Sequence, residues 1–359
     1  MTSPTTSAEA SPFRWPAEWE PQDRVWLAWP HNRETWPDRF GPVPTAFAAL
    51  IRAVAEVTPV GLLAAGPLAA EAHRVIGPLD HVELVDCPTN DCWIRDYGPT
   101  FVQDTRDGSV WGVDWGYNAW GGKYPPWDAD LAAGERICGT AGCRRLVGRL
   151  TAEGGALETD GQDRLLTTPE CLITDTRNPG WDAEAVAREL HRCLGIREIL
   201  WLDGGGLEGD DTDGHIDQLA RFVDPENIVA AVADDPADPN REPLEANFRQ
   251  LKLWGQQTTP PVAIHRLPVP PPRRIAGRRV PESYCNFLMV GGRRLLVPQF
   301  RAAAADARAL RRFAELLPRW EIVGLDASDL VWGLGAFHCA SQQQPAAGWQ
   351  PPPVPEEGG

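Results

Sequence analysis

Residues 45–64 read TAFAALIRAVAEVTPVGLLA, two patterns in succession. In the first, Phe47, Leu50, Ile51 and Val54 recur at i, i+3, i+4 and i+7, the spacing that lines one face of a helix. A helix is therefore expected over about 45–57, with Thr45 able to cap its N-terminus. The second, VGLLA (60–64), is an apolar run of strand length. Upstream, VWLAW (25–29) is also strand-like, and downstream a shorter helix around 67–76 leads to a strand HVELV (81–85). The alternation returns at 181–194, where Val186, Leu190, Cys193 and Leu194 share a helical face, Gly195 offers the stop, and IREILWL (196–202) resumes as strand. A helix at about 302–317 followed by WEIVGL (320–325) repeats it. Short strands alternating with single helices from end to end predict an α/β fold. No stretch inside 13–343 reads as a linker long enough to divide the chain, and LPVPPPRR (267–274) is expected to be a stiff surface loop. One domain is expected over 13–345, between a flexible polar tail (1–12) and a flexible Pro- and Gly-rich tail (346–359).

The chain has 359 residues, 43% of them hydrophobic, enough to bury a core without disulfides or metals. Fifty acidic residues against 34 basic ones leave a net charge of −16, which disfavours nucleic acid or an anionic membrane as partner and suits a cationic small molecule. The opening MTSPTTSAEASP lacks the charged and apolar regions of a secretory signal, and no apolar run approaches the roughly 20 residues of a membrane span. A cytoplasmic location is expected, with the eight cysteines as thiols. Cys87/Cys92 and Cys138/Cys143 share a C-x4-C spacing but lack the tight C-x2-C knuckle of zinc sites, so no metal is expected. Assembly into a homo-oligomer is left open.

Five stretches combine Gly, Pro and aromatic residues with ionisable ones, a composition suited to site-forming loops. They are NDCWIRDYGPTF (90–101), TAEGGALETDG (151–161), GDDTDGHIDQLARF (209–222), PESYCNF (281–287) and VWGLGAFHCASQQQP (331–345). Cys339 follows Gly333 and Gly335; a lone cysteine is more often a buried thiol than a nucleophile. His338 would point away from it along extended backbone, so a base should come from elsewhere. In GHIDQ, His215 and Asp217 are one residue apart and on a strand would share a face, although a lone His-x-Asp is commonly a salt-linked pair. Asp96 could be a turn cap and Glu153 a solvated carboxylate. Together, a thiol, an imidazole and three carboxylates without a metal-ligand set suit a cation, and a guanidinium presents the planar fork of N–H donors that carboxylates match.

At these residues the chain resembles the agmatine deiminase and bacterial peptidylarginine deiminase family of the guanidine-modifying superfamily. The likeness runs from FRWPAEWEPQDRVWLAWP (13–30) through W-x-R-D-x-G-P-x-F (93–101), EGGALETDG, DGHIDQLARF and SYCNF to G-x-x-H-C-x-S-Q-Q-Q-P (335–345). The resemblance implies a five-bladed pseudosymmetric α/β propeller of ββαβ units, the pentein fold, and no cofactor. It implies Cys339 as nucleophile, His215 as acid/base, Glu153 as the carboxylate supporting that histidine, and Asp96 and Asp217 as guanidinium-binding carboxylates. Trp93 is a candidate wall for an aliphatic chain, and equally a core residue. The implied reaction is hydrolysis of agmatine to N-carbamoylputrescine and ammonia through a thiouronium on Cys339. The alternatives are the same chemistry on peptidyl-arginine or another small guanidine, amidino transfer to an amine, or guanidine binding without catalysis, which the intact residue set argues against.

Overall fold

The computed structural model describes residues 2–4 by their backbone and residues 10–348 in full. Half of the first tail expected to be flexible and most of the second lie outside the described residues; within the first, Thr2–Pro4 pairs antiparallel with strand Glu198–Trp201.

The predicted periodicities become helices and strands of a mixed α/β fold. Val43–Ala55 buries Phe47, Leu50, Ile51 and Val54 as one face. It starts two residues earlier than the pattern suggested, and Thr45 lies inside it rather than capping it. Pro44 in the first turn explains the shift: its fixed φ suits that turn, and it has no N–H in need of a partner. Helix Ala183–Leu194 ends where its sequence suggests, at Gly195 with φ 77°, but starts two residues later than 181, where Asp182 accepts from the Ala185 N–H at 2.8 Å.

Five sheets of three or four strands and one two-stranded hairpin make up the described sheet structure. In each of the five, an antiparallel pair is followed by a helix and a strand parallel to the second member. Thr100–Asp104 pairs antiparallel with Val110–Gly116, helix Asp128–Ala141 crosses over, and Arg144–Thr151 returns parallel. The same order is built from Glu158–Thr159, Arg164–Thr167, helix Ala183–Leu194 and Glu198–Trp201. It recurs with Ala220–Asp224, Asn227–Val232, helix Arg241–Gly255 and Ala263–Pro268. Leu288–Val290, Arg294–Gln299, helix Ala303–Leu316 and Glu321–Asp326 form another. The fifth joins the two ends of the chain: Ser341–Pro345 pairs antiparallel with Gln22–Ala28, and helix Val43–Ala55 leads to the parallel Val60–Leu63, with Val82–Val85 added outside.

One loop expectation changes. Leu267 and Pro268 pair with Ala231 and Val232, and residues 267–270 are buried, so only the later part of LPVPPPRR is surface loop. Pro268 is tolerated because its strand is the edge of its sheet, where a missing N–H breaks no ladder. All eight cysteines are free thiols. No helix among the described residues is long and apolar enough to cross a membrane.

Candidate active site

The connections between successive units bring the chemistry together. Asp96 lies between Val82–Val85 and Thr100–Asp104; Glu153 between Arg144–Thr151 and Glu158–Thr159; His215 and Asp217 between Glu198–Trp201 and Ala220–Asp224. Asn286 precedes Leu288–Val290, and Cys339 lies between Glu321–Asp326 and Ser341–Pro345. These are the five stretches marked by composition. Their polar side chains are buried: His215, Asp217 and Glu153 completely, Asp96 and Cys339 to within 5%.

The thiol is held by its neighbours. Cys339 Sγ lies 3.4 Å from Asp217 Oδ2 and accepts from Asn286 Nδ2 at 3.0 Å. The Asn286 side-chain oxygen Oδ1 accepts the backbone N–H groups of Ala336, His338 and Cys339 at 3.1, 3.1 and 3.2 Å, fixing the turn that presents the thiol. Asn286 carries no signal in the sequence beyond its place in the stretch SYCNF.

His215 lies between carboxylates. Its Nδ1 is 3.7 Å from Asp96 Oδ1 and its Nε2 3.7 Å from Glu153 Oε2. Neither ring nitrogen has a hydrogen-bond partner in the protein, nor does Asp217 Oδ1, unusual for buried polar atoms and fitting for groups aimed at a ligand. The two residues of GHIDQ do converge, but not through strand alternation. His215 precedes a 3₁₀ turn at Ile216–Gln218, after Asp213 (φ 70°) and Gly214 (φ 92°) have broken the extended path.

His338 is also placed differently from the alternation argument. Residues 336–340 form a turn, with Ala340 N–H bonded to Ala336 O at 3.2 Å, so the extended-backbone premise does not apply. The ring sits 2.8 Å from Asp217 Oδ2 and 3.0 Å from Glu18 Oε2, contacting the carboxylate that touches the sulfur. Glu18 in turn accepts from Arg221 at 2.8 Å. Arg177 supports the opposite side, its Nε 2.8 and 2.9 Å from the Glu153 oxygens. None of these partners was legible in the sequence. Trp93 is 4% exposed and packs on Trp36 with ring centroids 5.6 Å apart. A Cβ on Gly335 would come within 2.6 Å of its ring, so Trp93 backs the Cys339 loop as a packing residue.

The charges set the protonation states. Burial pulls the His215 pKa down, but Asp96, Glu153 and Asp217 outweigh it and raise it to about 9. Burial lifts Asp96 to about 6, against the pull of His215. Asp217 and Glu153 are buried as well, yet remain below their ordinary values because His338 and His215 favour Asp217 as an anion, and His215 and Arg177 do so for Glu153. Burial raises the Cys339 thiol well above its usual range, with Asp217 and Asp96 adding to the shift. A bound cation would offset those negative charges and favour the thiolate.

Gly155 is where backbone and site meet. Its N–H donates to Asp96 Oδ1 at 3.0 Å, and an added Cβ would lie 2.5 Å from His215 Nδ1 and 2.8 Å from Asp96 Oδ1. Gly155→Ala should displace both and cut turnover by on the order of 100-fold, as small misplacements in reacting constellations do. Steady-state rates and circular dichroism of the variant check this; a correctly folded Gly155→Ala protein of wild-type activity would contradict it.

The sequence matches the profile of the Porphyromonas-type peptidyl-arginine deiminase family over residues 14–345. It is 34% identical to the agmatine deiminase of Pseudomonas aeruginosa (strain LESB58), over 96% of this chain and 99% of that protein. The solved agmatine deiminase of Enterococcus faecalis shares 30% identity and superposes with a TM-score of 0.86, covering 94% of this chain and 98% of that one. A cysteine-to-serine variant of C. jejuni agmatine deiminase with substrate bound superposes with a TM-score of 0.85 at 27% identity, covering 93% and 97% of the two chains.

Proposed function

The chain belongs to the Porphyromonas-type peptidyl-arginine deiminase family, and from that premise we propose that it hydrolyses the guanidinium group of agmatine to N-carbamoylputrescine and ammonia. It is a hydrolase of C–N bonds in linear amidines. The observation that carries the reading is a buried thiol 3.4 Å from Asp217, in a site where Asp96 and Glu153 flank His215.

Asp96 and Asp217 pair with the guanidinium and place its carbon against Cys339 Sγ. Their charges, which oppose ionisation of the thiol in the free protein, are then neutralised by the substrate, and the thiol releases its proton to solvent as the substrate binds. The thiolate attacks the guanidinium carbon. His215, kept protonated by the carboxylates around it, gives its proton to one amino group; the C–N bond breaks, ammonia leaves, and a thiouronium remains on Cys339. Neutral His215 then takes a proton from water, the hydroxide adds to the same carbon, and the C–S bond breaks with its electrons on sulfur while the added hydroxyl loses its proton to that sulfur, releasing the ureido product and restoring the thiol. Glu153, held by Arg177, keeps the imidazole oriented through both steps.

Assay of ammonia and ureido product over a panel of guanidines tests this. Turnover is expected with agmatine and not with uncharged ureas, and no turnover of any guanidine would refute the proposal. The family's description also supports a second reading, deimination of arginine in a peptide, which an arginine peptide in the panel distinguishes.

Both limbs of the pH dependence follow from these protonation states. Asp96 must be ionised, so kcat/KM should fall as pH drops through about 6. His215 must carry its proton, so activity should fall as pH rises through about 9, while the guanidinium stays charged throughout. A pH–rate profile with its plateau outside that window would contradict the assignment.

The repeated order of antiparallel pair, helix and parallel strand supports five such units arranged as a five-bladed propeller around the site, with residues 13–345 as one domain. The convergence of all five connections favours this arrangement, as does the sheet shared by the two ends of the chain.

A further inference from the structure

The segment YNAWGGKY (117–124) is unused by the mechanism above, and its backbone is unusual. Ala119, Trp120, Gly121 and Gly122 have φ of 51°, 57°, 83° and 84°, a left-handed run that includes two non-glycine residues. L-residues take this conformation only when the surroundings impose it, and such strain concentrates at functional sites. Here the surroundings do impose it. Asn118 Oδ1 accepts the Gly121 N–H at 2.9 Å, and Asn118 Nδ2 donates to Thr176 O at 2.8 Å. A Cβ on Gly121 would meet Thr176 Oγ1 at 3.0 Å, so the turn lies closely on that neighbour.

The turn delivers an indole to a carboxylate. Trp120 Nε1 donates to Asp96 Oδ2 at 2.9 Å, while Gly155 N–H holds Oδ1. Tyr117 and Tyr124 stack edge-on against the indole, each with centroids 5.7 Å away, and fix its plane. Lys123 of the same turn reaches the other side: its Nζ is 2.7 Å from Asp213 Oδ1, Asp213 Oδ2 is 2.8 Å from Arg177 Nη1, and Arg177 holds Glu153.

We propose that Trp120 is a positioning residue for the reaction, its indole N–H fixing the Asp96 carboxylate for the guanidinium, on a strap whose Lys123 ties it to Glu153. The inference rests on the function proposed above. Asp96 faces His215, Asp217, Glu153, the Gly155 N–H and the Trp120 N–H; removing only the last takes a donor from the ionised form.

Trp120→Phe in the full chain keeps an aromatic ring and deletes the N–H. KM should rise about tenfold with a smaller change in kcat, and the acid limb of kcat/KM should move up by about one pH unit, the worth of a hydrogen bond to a charged group. Alkylation of Cys339 supplies a readout independent of the natural substrate. The wild-type preference for cationic chloroacetamidine over neutral iodoacetamide should fall about tenfold in Trp120→Phe. A wild-type protein that turned over no guanidine would refute the proposed function, while the alkylation ratio would still test Trp120. An unmoved acid limb with an unchanged alkylation ratio would overturn the proposal, as would equal losses with both reagents. Should Trp120→Phe fail to fold, the Trp120 Nε1–H resonance of the wild-type protein decides: it should titrate with Asp96, near pH 6, and a resonance insensitive to pH would overturn the proposal.

Discussion

Cys339→Ala should lower turnover by on the order of 10⁴-fold or more while leaving guanidine affinity within a few-fold of wild type, because removing the attacking atom deletes the covalent route but not the carboxylates. Of the eight thiols, Cys339 is the one bonded to Asn286 and beside Asp217. Cys285 is a fair control. It is fully buried, its Sγ lies against Leu219 O at 3.6 Å, and burial pushes its thiol up to about 12. Cys285→Ala should retain substantial activity. Initial rates on both variants, with calorimetric titration of agmatine into Cys339→Ala, measure this. Equal activity of Cys339→Ala and wild type would eliminate the mechanism.

The second large effect concerns charge recognition. On a Cys339→Ala background, Asp96→Asn or Asp217→Asn should weaken binding of a guanidinium ligand by about 2–5 kcal/mol, the usual cost of truncating one partner of a buried charged pair. A neutral ureido product should lose much less, since it gains little from a formal charge. The surrounding bonds explain why an amide cannot substitute quietly. Asp96 accepts from Gly155 N–H on one oxygen and from Trp120 on the other, so an amide NH₂ would face a donor in either orientation. Asp217 Oδ2 receives His338, Asn286 and the thiol, and Oδ1 is free for the ligand. Asp217→Asn should therefore also disturb the Cys339 turn, and Asp96→Asn is the cleaner measure of charge. Undiminished guanidine affinity in both variants would mean that the cation is held elsewhere.

The sequence by itself determined the alternation of helix and strand and the residues that meet at the site. Helical periodicity is a local property: Phe47, Leu50, Ile51 and Val54 mark their face whatever lies around them, and Gly195 marks the end of its helix. Glycine-rich stretches with ionisable residues marked the five connections for a similar reason, since tight turns and close backbone approach need particular residues wherever the turn sits. The first strands of the units were not legible. Glu158–Thr159 and Leu288–Val290 are too short to show a period, and pairing with the next strand, not their own composition, makes them strands. Nor was the sheet that joins the chain's ends, where Trp26 bonds Gln344 across 318 residues. The same holds for the site's support. Glu18, Asn286, Arg177, His338 and Trp120 come from separate connections and act only through contacts that the fold creates. Protonation, too, was decided by tertiary structure. The sequence names a histidine and three carboxylates, but only their joint burial, with Asp96 and Glu153 each 3.7 Å from the imidazole, raises His215 to about 9 and Asp96 to about 6, because desolvation and neighbouring charge depend on distance in space and not along the chain.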